Sequence, residues 1–276
     1  MNYDEDVLPL TPNGNATERH LCLAYARKAA SMFPEESDLR TFWSEKLGVS
    51  QDDIKAFDVG PMQNLIYLIT DIKSRHTAIV DPAWDLTSVN QYIKENDLIL
   101  NKILLTHSHH DHVNAIDEIL KEYDLEIYIN NKEKIFWKKI YDNFVINYGG
   151  DIIQLGSTQI KSIHTPGHTP GSTCYYIDGK LIAGDTLFVF GCGRCDLHGG
   201  NPEDMFVSLK NLESLLDKKT LILPGHDYSV KRECTMEEQI RGNPFMHFHD
   251  INKFIEYRMN LHDKIRQSPY DAVTKS

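Results

Sequence analysis

Hydrophobic and polar positions alternate with two different periods along this chain, and the change from one to the other comes near Ile54. Before it, Leu21, Ala24, Tyr25, Ala29 and Met32 recur at helical spacing, which predicts a helix over 17–33 that Pro34 ends. Ser37 can cap a second helix over 38–47, with Leu39, Phe42 and Trp43 on one face and Gly48 as its stop. After Ile54 the apolar runs are short and rich in β-branched residues. Strands are predicted at 64–70, 76–81, 99–106, 126–129, 151–155, 159–164, 172–177, 180–183 and 220–223. Helices are predicted at 87–95, 113–123, 131–141 and 202–216, the last with Pro202 in its first turn, and the chain beyond about residue 230 reads as mostly helical.

Strands interleaved with helices, twice over, predict an α+β chain in which two sheets pack face to face with helices outside. Residues 1–50 read as an N-terminal helical extension and 51–276 as the main domain with its C-terminal helices. Packing against the main domain is the simplest role for the extension; covering a site or forming a homodimer are the others it allows.

Composition narrows the function. The net charge of −11 argues against nucleic acid as a partner, because phosphate binding needs a basic surface. No apolar run approaches the roughly 20 residues that span a bilayer, so no membrane role is expected. The start, 1–15, is acidic and lacks the features of a secretory signal, which predicts a cytoplasmic protein. Five cysteines, Cys22, Cys174, Cys192, Cys195 and Cys234, do not read as a disulfide framework in a chain of this length.

The thirteen histidines change the picture, because several stand together at strand ends. Thr106-His107-Ser108-His109-His110-Asp111-His112 follows an apolar strand. Alternate residues of an extended stretch point the same way, so His107 and His109 can face one point and Asp111 and His112 a neighbouring one. A second strand ends in His164-Thr-Pro-Gly-His168-Thr-Pro-Gly, whose turns fix where His168 points, with His164 the more structural of the two. A third ends at Asp185 and a fourth in Pro224-Gly225-His226. A lone Asp at a strand end is more often a turn residue; beside three histidine-bearing strand ends it becomes a candidate ligand.

This H-x-H-x-D-H, His, Asp, His series resembles the metallo-β-lactamase superfamily over roughly 54–228, and Asp81 matches that family's first motif. The resemblance implies an αββα sandwich. It implies one metal held by His107, His109 and His168, a second by Asp111, His112 and His226, and Asp185 between them, with Asp81 in support. It further implies two zinc ions, with iron as the other candidate. The reaction implied is attack of a hydroxide, bound between the metals and oriented by Asp111, on an acyl thioester whose thiol is small or carrier-bound.

Within the superfamily, Asp185 stands where one major class of secreted β-lactamases has Cys, and His109 where flavodiiron-type oxygen reductases have Glu. Gly191-Cys-Gly-Arg-Cys-Asp196 and Cys234-Thr-Met-Glu-Glu…Asn243-Pro-Phe-Met246 resemble the glyoxalase II-like branch: zinc-dependent hydrolases of bacterial polyketide clusters (BaeB type) and persulfide dioxygenases. The second would use one iron held by His107, His168 and Asp185. His247 stands where a basic residue often follows in glyoxalase II-like enzymes, which departs from the usual glutathione site. Arg194 and Tyr228 are the expected substrate contacts, Arg194 having a loop-pinning role as its alternative. The Cys192/Cys195 pair reads as a tight loop, since a redox role needs a βαβ setting. A metal-stabilised interaction module is the non-enzymatic alternative.

Overall fold

The computed structural model describes residues 52–266 and 268–274; the two expected N-terminal helices, and with them the proposed 1–50 extension and Cys22, lie outside the described residues. The first sheet runs in order β1 (Asp52–Val59), β2 (Asn64–Asp71), β3 (His76–Val80), β4 (Ile99–Leu104), β5 (Glu126–Asn130), β6 (Phe144–Asn147). The second contains β7 (Ile152–Leu155), β8 (Thr158–His164), β9 (Thr173–Ile177) and β10 (Lys180–Gly184). A small ribbon, β11 (Leu187–Phe188) and β12 (Gly191–Cys192), follows, and the second sheet is completed by β13 (Leu221–Pro224) and β14 (Cys234–Thr235) in the order β14-β13-β10-β9-β8-β7.

β2 shows why there are layers. All eight of its residues are buried, as a strand covered on both faces requires. Leu65, Tyr67 and Ile69 join Ile160, Tyr175, Ile182 and Leu223 of the other sheet in a core between the sheets. Ile66 and Leu68 turn the opposite way, into an outer core with Val89, Ile93 and Ile116. The outer face of the second sheet is covered likewise: Leu181 and Ile222 pack with Met205, Leu209 and Leu212 of a helix and with Phe245 and Phe254. Period-two alternation in the strands and apolar helix faces outside them therefore produce helix, sheet, sheet, helix, the expected α+β sandwich.

β3, β4, β5 and β6 are mutually parallel, as are β10 and β13. Parallel neighbours need crossovers, which bring their C-terminal ends out at one edge of a sheet. The crossovers are α1 (Thr87–Glu95), the pair α2 (His110–Val113) and α3 (Ile116–Ile119), α4 (Asn131–Trp137), and α5 (Pro202–Leu215). The functional loops follow directly on these strand ends.

Three boundaries depart from the sequence reading. The helix expected over 113–123 begins at His110 and breaks after Val113, because Asn114 Oδ1 accepts the Trp84 N–H (2.6 Å) and Ala115 N–H bonds Pro82 O (3.2 Å). α4 ends at Trp137 and not at 141, since Lys138 takes a left-handed φ of 60°. The C-terminal region begins with an edge strand, β14, before α6 (Met236–Gly242), a 3-10 turn (Pro244–His247), α7 (Ile251–Glu256), a π-helical turn (Tyr257–Leu261) and α8 (His262–Ile265). Thr235 and Glu238 form a capping box at the start of α6. Among the described residues, no helix is long and apolar enough to cross a membrane.

Candidate metal centre

Five strand ends deliver side chains to one place. Asp81 follows β3, the segment 106–112 follows β4, His168 lies in the loop after β8, Asp185 follows β10 and His226 follows β13. Side-chain donor atoms of His107, His109 and His168 lie within 4.8 Å of one another, as do those of Asp111, His112 and His226. Asp185 stands between the two groups. Its Oδ1 is 3.3 Å from His112 Nε2 and 3.4 Å from His226 Nε2, and its Oδ2 is 3.4 Å from His168 Nε2. Asp111 Oδ2 is 3.5 and 3.4 Å from the Nε2 atoms of His112 and His226.

The ring orientations are set from outside. His168 Nδ1 donates to Arg194 O (2.7 Å), His226 Nδ1 to Met62 O (2.8 Å) and His112 Nδ1 to Asp81 Oδ2 (3.0 Å). The Thr106 hydroxyl donates to Asp81 Oδ2, so its oxygen accepts from His107 Nδ1 at 3.0 Å. Each of these four rings thus spends its Nδ1–H outward and turns its Nε2 inward.

That arrangement crowds ring nitrogens and carboxylate oxygens together. His112 Nε2 and His226 Nε2 are 3.2 Å apart, and His109 Nδ1 and His168 Nε2 are 2.8 Å apart. His107 Nε2 and Asp185 Oδ1 are buried without a hydrogen-bond partner among the described residues. Buried nitrogens and carboxylate oxygens crowded in this way call for positive charge among them, and metal cations would satisfy all of them at once, the two orphaned atoms included. The imidazole and carboxylate donors fit zinc and also iron.

Electrostatics point the same way. Burial pulls His107 well below the ordinary imidazole range, lowers His109, and takes His168 down to about 4, so these three rings favour the neutral form that metal ligation needs. Burial alone would lower His112 too, but the Asp185 and Asp81 carboxylates outweigh it and raise His112 well above the usual value. Burial would raise Asp185, yet His226 and His112 hold it far below the carboxylate range, so it is an anion.

Asp81, His107 and His112 also come together. Asp81, however, already accepts from Thr106 N (2.7 Å), Thr106 Oγ1 (2.5 Å) and His112, so it braces the donors. His164 donates to Pro170 O (2.9 Å) and stands outside the donor set.

Glycines bring the loops this close. A Cβ on Gly193 would lie 2.0 Å from Asp185 O and 2.9 Å from His168 Nδ1, and one on Gly225 would lie 2.5 Å from Asp185 Oδ1. Both positions therefore exclude a side chain.

Tyr228 stacks on His226, with ring centroids 4.6 Å apart and planes at 11°. The Arg194 guanidinium pairs on the surface with Asp196 (3.0 and 2.6 Å), while its carbonyl oxygen holds His168. Cys192 and Cys195 are free, buried thiols in the outer core beside the second sheet, and burial pushes Cys192 up to about 12, which suits a packed loop.

Three contributors escaped the sequence reading. Asn64 Nδ2 donates to Asp111 O and Oδ2, both at 3.0 Å, while its own Oδ1 accepts from Trp84 Nε1 at 2.8 Å. Glu133 accepts hydrogen bonds from both histidine loops. Met62 contributes only a carbonyl. Asn64 and Glu133 sit in ordinary strand and helix patterns, and nothing in their spacing marks them.

Comparison with known proteins agrees with this geometry. Residues 59–226 match the family described as the Metallo-beta-lactamase superfamily. A Bacillus velezensis protein described as "Probable polyketide biosynthesis zinc-dependent hydrolase BaeB" is 33% identical over 201 residues, 73% of this chain and 89% of that protein. A hydroxyacylglutathione hydrolase of Psychromonas ingrahamii is 36% identical over 178 residues, covering 64% of each chain. Among solved structures, that of ETHE1 from Myxococcus xanthus superposes with a TM-score of 0.69 at 27% identity, covering 76% of this chain and 91% of that one.

Proposed function

Because the chain belongs to the metallo-beta-lactamase superfamily, a family of metallo-hydrolases, we propose that it hydrolyses acyl thioesters with the help of two zinc ions. The observation that carries this reading is the position of Asp185, whose two carboxylate oxygens face different donor groups: Oδ1 faces His112 and His226, Oδ2 faces His168. A carboxylate so placed suits two cations sharing one bridge. His107, His109 and His168 would hold the first ion, and Asp111, His112 and His226 the second.

Bound together, two such ions would supply a water with its pKa lowered toward about 7 and a Lewis acid for a carbonyl oxygen. The residues do the rest. Asp111, held by Asn64, keeps an anionic acceptor beside the Asp111/His112/His226 group, where it can orient the attacking water. Asp185 neutralises charge between the two groups. The thiolate that leaves has a solution pKa of about 8.5 and needs little help from a general acid.

A thioester substrate is supported by the likeness to a hydroxyacylglutathione hydrolase and to a zinc-dependent hydrolase. The thiol is read as a small molecule or a carrier. Tyr228, stacked on His226, is placed to meet the substrate; Arg194 reaches it only by leaving Asp196. An enzyme without nucleic-acid partners accords with the acidic net charge of −11, and a cytoplasmic location is part of the same proposal. Zinc content of the purified protein, paired with free-thiol release from an acyl thioester, tests the proposal. Two equivalents of zinc with thiol release support it; one tightly bound iron with no hydrolysis refutes it.

The second reading is a mononuclear iron persulfide dioxygenase. The Gly191-to-Asp196 turn and the likeness to the ETHE1 structure favour it. It leaves Asp111, His112 and His226 without a metal to bind, although all three are fully assembled. Oxygen uptake with glutathione persulfide would decide for it.

A further inference from the structure

Glu133 is a carboxylate with 1% of its surface exposed, in α4, outside the donor set. Its Oε1 accepts from Ser108 N (2.8 Å) and Ser108 Oγ (2.6 Å). Its Oε2 accepts from Thr169 Oγ1 (2.7 Å) and Gly171 N (3.0 Å). Four donors converge on one side chain, and only an acceptor-only group satisfies them all. Gly171 comes so near that a Cβ there would lie 2.1 Å from Glu133 N, so the loop is pressed on the helix backbone.

The placement of those donors is selective. Ser108 lies between His107 and His109, and Thr169 follows His168. Glu133 therefore ties together the two loops that carry the His107/His109/His168 group. The other group is braced elsewhere: His112 by Asp81, Asp111 by Asn64, His226 by Met62 O.

We propose that Glu133 is a positioning residue for one metal pocket only: it fixes the β4 loop against the β8 loop, and so sets the affinity of the His107/His109/His168 pocket and not of its neighbour. This inference rests on the two-ion reading above. A bare structural role would lower stability and leave the two pockets' relative affinities alone.

The test is a titration of metal-stripped protein with zinc and with cobalt(II) against a chromophoric chelator, with the cobalt absorption spectrum recorded. Wild type is compared with Glu133→Gln, whose amide presents donors to donors, and with the milder Ser108→Ala in case the first does not fold. Asp71→Asn is the control. Asp71 accepts from Ser74, Ser157 and Thr158 in the same manner as Glu133, but joins the β2–β3 turn to the β7–β8 turn. The expected result is one site weakened about 10–100-fold in the Glu133 and Ser108 variants, the other unchanged, and a changed cobalt spectrum. Asp71→Asn should lower the melting temperature and leave both sites intact. Two sites of wild-type affinity in the variants, or an equal weakening of both, overturn the inference. A wild type that binds no metal overturns the two-ion reading instead, and the inference with it.

Discussion

Asp81 Oδ2 lies 3.0 Å from His112 Nδ1 and accepts the Thr106 hydroxyl as well, so one buried carboxylate orients His112 directly and His107 through Thr106. It reaches both donor groups without entering either. A left-handed backbone at Asp81 (φ 51°) immediately before Pro82 turns the carboxylate from the end of β3 toward the neighbouring β4 loop.

Asp81→Asn should therefore weaken metal binding without removing a ligand. The amide nitrogen would face either the Thr106 backbone N–H or, turned over, both the Thr106 hydroxyl and the His112 N–H, donor against donor in each case. A fall of about 10–100-fold in zinc affinity is expected, read by competition with a chelator. Unchanged affinity would show that Asp81 only packs.

Proton release should distinguish the two pockets. His112 is raised well above the imidazole value, so it carries a proton at pH 7 in the metal-free protein, and a metal must displace that proton. His107 and His168 are lowered by burial and are already neutral there. Calorimetry in buffers of different ionisation enthalpy should show a larger proton release for the ion taken up at His112 than for the other. That excess should vanish as pH rises through the raised His112 value. Equal release for both ions would contradict the assignment.

Metal-free stability follows from the same shifts with opposite signs. His168, lowered to about 4, contributes stability that is complete above about pH 6.5 and is lost as pH falls toward 4. His112, raised, contributes stability that is complete below about pH 6.5 and is lost as pH rises through its folded value. Denaturant midpoints of the metal-free protein should accordingly fall on both sides of neutrality. A midpoint that climbs steadily from pH 4 to 9 would rule this out.

Much of this was legible in the sequence. Period-two apolar runs placed the strands that matter, and His107, His109, Asp111, His112, His168, Asp185 and His226 stood out because each follows such a run. Apart from Asp81, their supports did not. Asn64 opens a strand, Glu133 sits in a charged helix, and Met62 and Arg194 act through carbonyl oxygens, which no side-chain pattern reveals. Helix ends were misjudged where tertiary bonds intervened, as at Asn114, whose side chain caps the Trp84 turn rather than continuing a helix. Asp185 could be read as a ligand only in company; its place between the two donor groups depends on β10 and β13 running parallel side by side.

Tyr175 links the core to the centre. It is fully buried, and its hydroxyl donates to Leu105 O at 2.8 Å, one residue before the Thr106 brace. Tyr175→Phe leaves that buried carbonyl with one partner fewer and should cost about 1–2 kcal/mol, seen as a lower melting temperature with zinc content unchanged. A loss of zinc without loss of stability would mean the hydroxyl acts on the loop itself.

The bridging position of Asp185 is the claim on which the two-ion reading stands, and zinc content of the wild type measured beside Asp185→Asn tests it most directly. Two equivalents in the wild type, falling to one or fewer in the variant together with loss of thioester hydrolysis, is the expected result. One equivalent in both proteins, or two retained by the variant, would contradict it.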